Sequence, residues 1–378
     1  MKKICIVSSA GTSVNVFMLK HIEYLKKNYD LTLIIGDESK INSNSRIIRI
    51  NIERQINIFK DIKSLFQLYL FLKKEKFDIV LSIMPKSGLL AMIASSAAGV
   101  TTRLHFFTGQ VWATKQGFFR KLLKYMDKII VKTSSSVLID SKSQKQFLID
   151  ECVMSEKDGF VLKKGSISGV NIKKFKSDVQ KRKTLRKMHG INNDEIVFMF
   201  LGRINKDKGI LDLNKVFLNL LEKYANIKLI LIGPLEDLLL KEELKVLLQH
   251  KNVISKLEFV NNPEEILNMA DMLTLPSYRE GFGTIVIEAA AMGIPTIGSD
   301  IYGLNDAIIN NKTGILHKVK DIQDMEKKYS ELIENHFKIV ELGNNAKQMA
   351  YKDFVDVDLS EALGEFIIEK ESFSSLAK

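Results

Sequence analysis

Two acids stand eight residues apart in PSYREGFGTIVIEAAAMGIPTIGSD, residues 276–300. Glu280 precedes a Gly-Phe-Gly turn, and Glu288 lies one turn inside the apolar, alanine-rich run that follows. Gly281 and Gly283 let the backbone turn tightly and approach a ligand. The amides of Gly283, Thr284 and their neighbours are then the unpaired donors of a helix start, where the dipole favours a phosphate. Glu288 falls about 6 Å beyond Thr284 along a helix rising about 1.5 Å per residue. That is the scale separating a diphosphate from its ribose, and a carboxylate there accepts two vicinal hydroxyls. Glu280, on the other side of the turn, falls where a sugar on the diphosphate would lie. Two acids at this spacing also suit a plain helix start with solvated carboxylates; the glycines and the flanking strands favour the ligand.

A diphosphate leaving group needs positive charge. GRINKDKG, residues 202–209, supplies Arg203 and Lys208 directly after the buried run EIVFMFL. Arginine binds phosphate through a fork of donors and lysine adds a point charge.

The elements that must position these groups follow an alternating plan. Lys2–Ser8, LTLIIG, FDIVLSI, TTRLHFF and DKIIVKT read as strands in the first half, with helical periodicity between them. DKIIVKT overlaps GFFRKLLKYMDKIIVK, residues 117–132, which reads as a basic amphipathic helix. PKSG reads as a loop before the packed helix LLAMIASSAAG. After the polar stretch KKFKSDVQKRKTLRKMHGIN the plan restarts with EIVFMFLG, IKLILIG, KLEFV, a short strand before PS, and IPTIGSD. Continuous apolar strands alternating with helices imply parallel sheets covered on both faces. The expected organisation is an N-terminal unit over 1–168, a linker over 169–185 and a second unit over 186–353. A helix at about 354–371 is expected to return to the first unit. Ligands of such sheets bind beyond the carboxyl ends of the strands, and with two units the crevice between them is the expected place.

The bulk numbers agree. At 378 residues the chain is long for one core, and 5 prolines leave no extended disordered region. Two distant cysteines give neither a disulfide framework nor a zinc spacing, which fits a reducing cytosol. The apolar run Ile4–Val7 is too short for a secretion signal, and Gly88–Val100 is too short to span a bilayer. Residues 1–183 hold 33 Lys and Arg against 15 Asp and Glu, while the remainder holds 23 against 30. A basic first half suits nucleic acid, anionic lipid or a phosphorylated substrate, or simply a solvated face.

The stretch 276–300 resembles the E-x7-E signature of family 4 retaining glycosyltransferases, down to Pro276-Ser277, Ala289, Gly293 and Pro295. Gly202-Arg203 with Lys208-Gly209 resembles that family's phosphate-clamp loop. Gly169-Val170-Asn171 with Phe175 resembles its interdomain segment, with asparagine where aspartate is usual. Ile232-Gly233-Pro234 and Thr313-Gly314 resemble further landmarks, and the likeness is specific in the second half and weak in the first. The resemblance implies a GT-B fold, two Rossmann-like doubly wound parallel-sheet domains facing a deep cleft. It implies a hexosyl- or N-acetylhexosaminyltransferase that moves a sugar from a nucleotide-sugar, expected to be a UDP-sugar, to an acceptor hydroxyl. No cofactor or metal is expected, and no nucleic-acid partner.

Residue by residue, the resemblance gives catalytic roles to Glu280, Arg203, Lys208 and His105. It gives donor contacts to Glu288, Gly281, Phe282, Gly283, Thr284 and Gly233, and to Gly11 and Thr12 in the loop SSAGTSVN. His105 in RLHFFTGQVW also suits a structural histidine. Gln110 and Trp112 suit a carbohydrate face or core packing, and Lys86 an acceptor phosphate or an ordinary loop. Phe118, Arg120, Lys121 and Lys124 make the 117–132 helix a candidate membrane face, or a helix packed on its own sheet. A lipid-linked glycan acceptor and a cytoplasmic, peripheral site on the inner face of the plasma membrane complete the expectation. A sugar-nucleotide epimerase and a non-catalytic polyanion binder remain the alternatives.

Overall fold

The computed structural model describes residues 1–53 and 55–376. The chain forms two compact units: Met1–Gly169 with Asp356–Lys378, and Val170–Val355. Each is built on a parallel sheet.

The first sheet has seven strands: β1 (Lys2–Ser8), β2 (Tyr29–Ile35), β3 (Arg46–Arg49), β4 (Ile79–Ile83), β5 (Thr102–Phe107), β6 (Ser136–Ile139) and β7 (Gly159–Phe160). Their order is β3-β2-β1-β4-β5-β6-β7, so the order reverses beside β1. The central strands are buried along almost their whole length, which is why β1 and β4 carry apolar runs rather than an alternating pattern. The second sheet has six: β8 (Ile196–Leu201), β9 (Ile227–Ile232), β10 (Val253–Lys256), β11 (Met272–Leu275), β12 (Thr296–Ser299) and β13 (Gly314–His317). Its order, β10-β9-β8-β11-β12-β13, reverses beside β8, and every pairing is parallel. Two α/β units of this kind are the GT-B architecture.

Several local expectations are corrected. DKIIVKT is not a strand but the end of a helix, Gly117–Thr133; β6 begins only at Ser136. Its apolar residues satisfy a helical stripe, with Ile130 fully buried. PKSG is no loop either. Pro85 opens the helix Pro85–Ala97, where its fixed φ and missing N–H suit the first turn. KLEFV follows β10 instead of forming it. Residues 170–185 are not a free linker but part of the second unit. Asn171 Oδ1 accepts the amides of Lys173 and Lys174, at 3.1 and 3.0 Å. The guanidinium of Arg182 in the helix Val179–Met188 meets Asp271 at 2.5 Å.

The helix Asp356–Leu376 belongs to the first unit. Leu359, Leu363, Phe366 and Ile367 enter the core beneath β1, β2, β4 and β5. Glu371 ties the helix to the sheet, accepting from Tyr29 Oη at 3.0 Å and pairing with Lys2 at 2.9 Å. Trp112 is the one tryptophan of the chain and lies in the first unit, so its emission reports that unit's unfolding. Leu363→Ala should cost the first unit about 2–5 kcal/mol. Denaturant titration followed by tryptophan emission checks this; an unshifted midpoint would show that the helix is not part of the cooperative core.

Candidate active site in the second unit

The carboxyl ends of β8, β9 and β11 carry three loops, and the one after β8 is fastened to both others. Toward β9, Gly202 N donates to Ile232 O at 3.0 Å and Ile204 N to Pro234 O at 2.9 Å. Gly233, with φ of 144°, lies so close that a Cβ there would stand 1.8 Å from Gly202 O. Only glycine allows that contact. Its placement at a strand end therefore reflects backbone packing. Arg203 Nη1 donates to Glu236 Oε1 at 2.9 Å, and Asn205 Nδ2 to Glu236 Oε2 at 2.6 Å.

Toward β11, the fit is as close. Gly209 has φ of 67°, and a Cβ on it would stand 1.9 Å from Pro276 O. Tyr278 N donates to Asp207 O at 2.8 Å, Arg279 Nε donates to Asp207 Oδ2 at 2.9 Å, and Tyr278 Oη donates to Asp212 Oδ2 at 2.8 Å. Lys208 Nζ is thereby brought onto Glu280 Oε1, which also accepts from Ser277 Oγ at 2.7 Å. Both side chains of this pair are mostly shielded, at 17% and 12% exposure. A cation and a carboxylate 72 residues apart thus share one point at the end of the sheet.

Just beyond, Gly283 adopts the left-handed conformation and opens the helix Thr284–Ala291 with no side-chain cap. Its first amides are left for a ligand or water. Ala289, Ala290 and Ala291 are buried, and this helix packs closely on His336–Asp353, where a Cβ on Gly343 would stand 2.2 Å from Gly293 O. Small residues fix the helix, and with it the direction of its open N-terminus. Gly281 is buried, its carbonyl against Gly303. The side chain of Phe282 is also buried, 5.2 Å centroid to centroid from Phe354, so it is a core anchor rather than a donor contact.

Glu288 sits in this helix, partly buried. Desolvation pushes its carboxyl up to about 8; the Lys174 ammonium opposes this and the Glu264 carboxylate reinforces it. Lys174 and Glu264 pair with each other at 3.2 Å. Burial thus favours the protonated form of this acid near neutral pH.

The first unit keeps few of its expected ligand contacts. His105 is enclosed: its Nδ1 is 2.9 Å from Ser82 Oγ, its ring lies edge-on to Phe107, and Gly88 of the neighbouring helix presses on it. Burial pushes its pKa down to about 3. It is a neutral packing histidine, not a catalytic one, because a mid-strand side chain points into the sheet's cover. Trp112 has no exposed surface. It donates to Asp127 Oδ2 at 2.7 Å, stacks on Phe147, and carries Arg120 and Lys124 over its ring. It cannot stack on a sugar. Gln110 is buried and bonded to Gln144 Nε2 at 3.0 Å. Lys86 pairs with Asp61 at 2.6 Å instead of waiting for a phosphate. Arg120 and Lys124 both hold Glu151 at 2.6 Å, so neither faces a membrane, whereas Phe118 and Lys121 are exposed. Gly11 N donates to Asp37 Oδ1 at 3.0 Å, and a Cβ there would stand 2.6 Å from Ile41 Cδ1. That glycine serves packing of the 37–41 loop; Thr12 beside it is exposed. Among the described residues no group of His, Cys, Asp or Glu is placed to hold a metal ion, and no helix is long and apolar enough to cross a membrane.

Sequence reasoning missed the residues that hold the others: Ser277 on Glu280, Glu236 on Arg203 with Asn205 on Glu236, and the Asp207–Arg279 and Asp212–Tyr278 pairs. Only Ser277 had a local signal, its place three residues before Glu280.

The chain resembles known proteins over both of its units. Residues 181–352 match the family Glycosyl transferases group 1, and residues 3–141 match Glycosyl transferase 4-like. The chain is 32% identical over 342 residues to the capsular polysaccharide biosynthesis glycosyltransferase CapM of Staphylococcus aureus, covering 89% of each chain. This chain belongs to the group 1, family 4-like glycosyltransferases. It is an enzyme of that class with the GT-B fold. It is also 29% identical, over 71% of its length and 70% of the relative's, to the UDP-Gal:alpha-D-GlcNAc-diphosphoundecaprenol alpha-1,3-galactosyltransferase of Escherichia coli. In fold it matches the Anabaena protein HepE, solved in complex with UDP-glucose, with a TM-score of 0.81 at 16% identity, over 98% of this chain and 100% of that one.

Two outcomes follow for this glycosyltransferase. Gly209→Ala should separate the two loops, lowering donor affinity by about fivefold to about 150-fold, since backbone strain of this kind is worth about 1–3 kcal/mol; calorimetry with UDP reads it. If hydroxyl donors bind the ionised Glu288, UDP binding must release a proton. Affinity should then rise as pH climbs from 7 toward and through about 8, and level off above. In Glu288→Gln that slope should vanish; a slope that persists would assign it to another group.

Proposed function

We propose that the chain is a retaining glycosyltransferase that moves a sugar from a UDP-sugar to a hydroxyl of a lipid-linked oligosaccharide, in capsule, O-antigen or related glycan assembly. The observation that carries this reading is the meeting of Lys208 with Glu280 beside the open helix start at Gly283 and Thr284. Positive charge for a diphosphate and a carboxylate for sugar hydroxyls lie at one point. Arg203, Lys208 and the amides of the helix start would stabilise the departing diphosphate. Glu280 would orient the sugar and Glu288 the ribose. Diphosphate would draw Lys208 away and leave Glu280 to the sugar.

In the proposed step the bond from the anomeric carbon to the phosphate oxygen breaks as the acceptor oxygen bonds to the same face. The acceptor's proton passes to the departing phosphate. The charge is carried by side chains and amides, so turnover should survive EDTA.

The UDP donor is supported by the E. coli relative, named for UDP-Gal, and by the UDP-glucose complex of HepE. The lipid-linked acceptor is supported by the same relative, named for a diphosphoundecaprenol substrate. Such an acceptor supports a place of work at a membrane surface, which the proposal puts on the cytoplasmic side.

Glu280→Gln tests the assignment. It keeps the shape and the Ser277 contact but removes the charge. Transfer, scored by mass on a lipid extract with several nucleotide-sugars, should fall at least about a hundredfold while UDP affinity changes less than about threefold. Near-normal transfer would remove Glu280 from the reaction. An epimerised sugar-nucleotide formed without acceptor would replace the transferase reading.

A further inference from the structure

The largest run of exposed apolar side chains on one helix lies in the first unit, away from the residues considered above. In the helix Ile58–Glu75 the buried positions are Ser64, Leu68 and Leu72. Ile58, Phe59, Ile62, Phe66 and Leu70 are instead exposed, at 68%, 87%, 59%, 60% and 49%. At about 100° per residue these five fall within about 120° of the helix circumference, on the side turned from the sheet. Packing on the helix's own core does not explain them, because that face is already complete.

The charges beside the stripe are of one sign. The helix has two acids, and both are turned inward: Asp61 pairs with Lys86 at 2.6 Å and Glu75 with Arg46 at 3.0 Å. Lys60 pairs with Glu53. Lys63, Lys73 and Lys74 are exposed, and among the described residues none has a carboxylate within ion-pair distance. Lys73 meets Tyr69, donating to its Oη at 2.8 Å and lying over its ring. An apolar arc bordered by unpaired lysines, with every helix acid withdrawn, is the pattern of a helix lying in the plane of an anionic bilayer.

We propose that the helix Ile58–Glu75 is a membrane-docking face, its partner an anionic phospholipid surface. Phe59, Ile62 and Phe66 would enter the boundary between headgroups and acyl chains, with Lys63, Lys73 and Lys74 against the phosphates. This moves the expected membrane face away from 117–132, where Arg120 and Lys124 are committed to Glu151 and Trp112. The inference goes beyond the transfer reaction and rests on none of its residues.

Flotation of the full chain with two vesicle types tests it: phosphatidylcholine alone, and phosphatidylcholine with phosphatidylglycerol. The wild type should float with the anionic vesicles, not the neutral ones, and less as salt rises. The triple variant Phe59→Ser, Ile62→Ser, Phe66→Ser should lose at least about tenfold in partitioning. Lys63→Glu with Lys74→Glu should lose anionic selectivity. All substituted positions are exposed, and an unchanged denaturant midpoint followed by Trp112 emission would show that the first unit of each variant is folded. Two results would overturn the proposal: a triple variant that floats like wild type, or a wild type that ignores anionic vesicles. Sedimentation showing a dimer that the triple variant dissociates, without vesicle binding, would assign the stripe to a second copy instead. Vesicle binding without UDP binding would fault the donor reading alone.

Discussion

The second unit depends on one constraint: the loop after β8 must lie against its neighbours at backbone distance on both sides. Gly233 meets Gly202 on one side, and Gly209 meets Pro276 on the other. Side chains reinforce these approaches but do not create them; a methyl group at either glycine would overlap a carbonyl oxygen. Because β8 lies between β9 and β11 in the sheet, three loops from distant parts of the sequence converge there. Lys208 reaches Glu280 as a consequence of that convergence, not as an independent ion pair. Shielding of the pair makes the placement matter more, since charges screened from water interact more strongly than those on an open surface.

Legibility in the sequence followed the distance over which each feature is determined. The stretch 276–300 is contiguous, and its turn, helix start and two acids are fixed by local geometry, so the positions of Glu280 and Glu288 were readable. The strands β1, β2, β4, β8 and β9 were readable for the same reason, each holding a largely apolar run. Short edge strands were not: RIIR, GF and GILH, residues 46–49, 159–160 and 314–317, are too brief for a period to show. The meeting of Arg203 with Glu236 and of Lys208 with Glu280 was invisible because these partners are set by sheet order, which spacing does not encode.

Errors in the first unit share one cause. His105, Trp112, Gln110 and Lys86 are chemically able residues near strand ends, and residue type alone cannot say which way a side chain points. His105 lies two residues before the end of β5 and turns inward beneath Gly88. Trp112 is drawn to Asp127, and the lysine and arginine above it are held by Glu151. In that helix hydrophobic periodicity identified a helix correctly, but the partner beneath it decided which charges remained free. The helix Ile58–Glu75 is the opposite case. Its composition is unremarkable in sequence, and only the depth of Leu68 and Leu72 shows that the other apolar residues face outward.

The chain enters the second unit at Val170 and leaves it at Val355, two residues joined by a bridge, with Val170 N donating to Phe354 O at 2.7 Å. The core of the first unit receives Leu359, Leu363 and Ile367 only after that excursion. On the ribosome the second unit therefore has all its residues before the first is complete. The nascent N-terminal sheet must wait, with part of one face uncovered, through the synthesis of the entire second unit. A stop codon or a protease acting a few residues after Val355 would spare the machinery gathered around Lys208 and Glu280 and strip the N-terminal sheet of its cover.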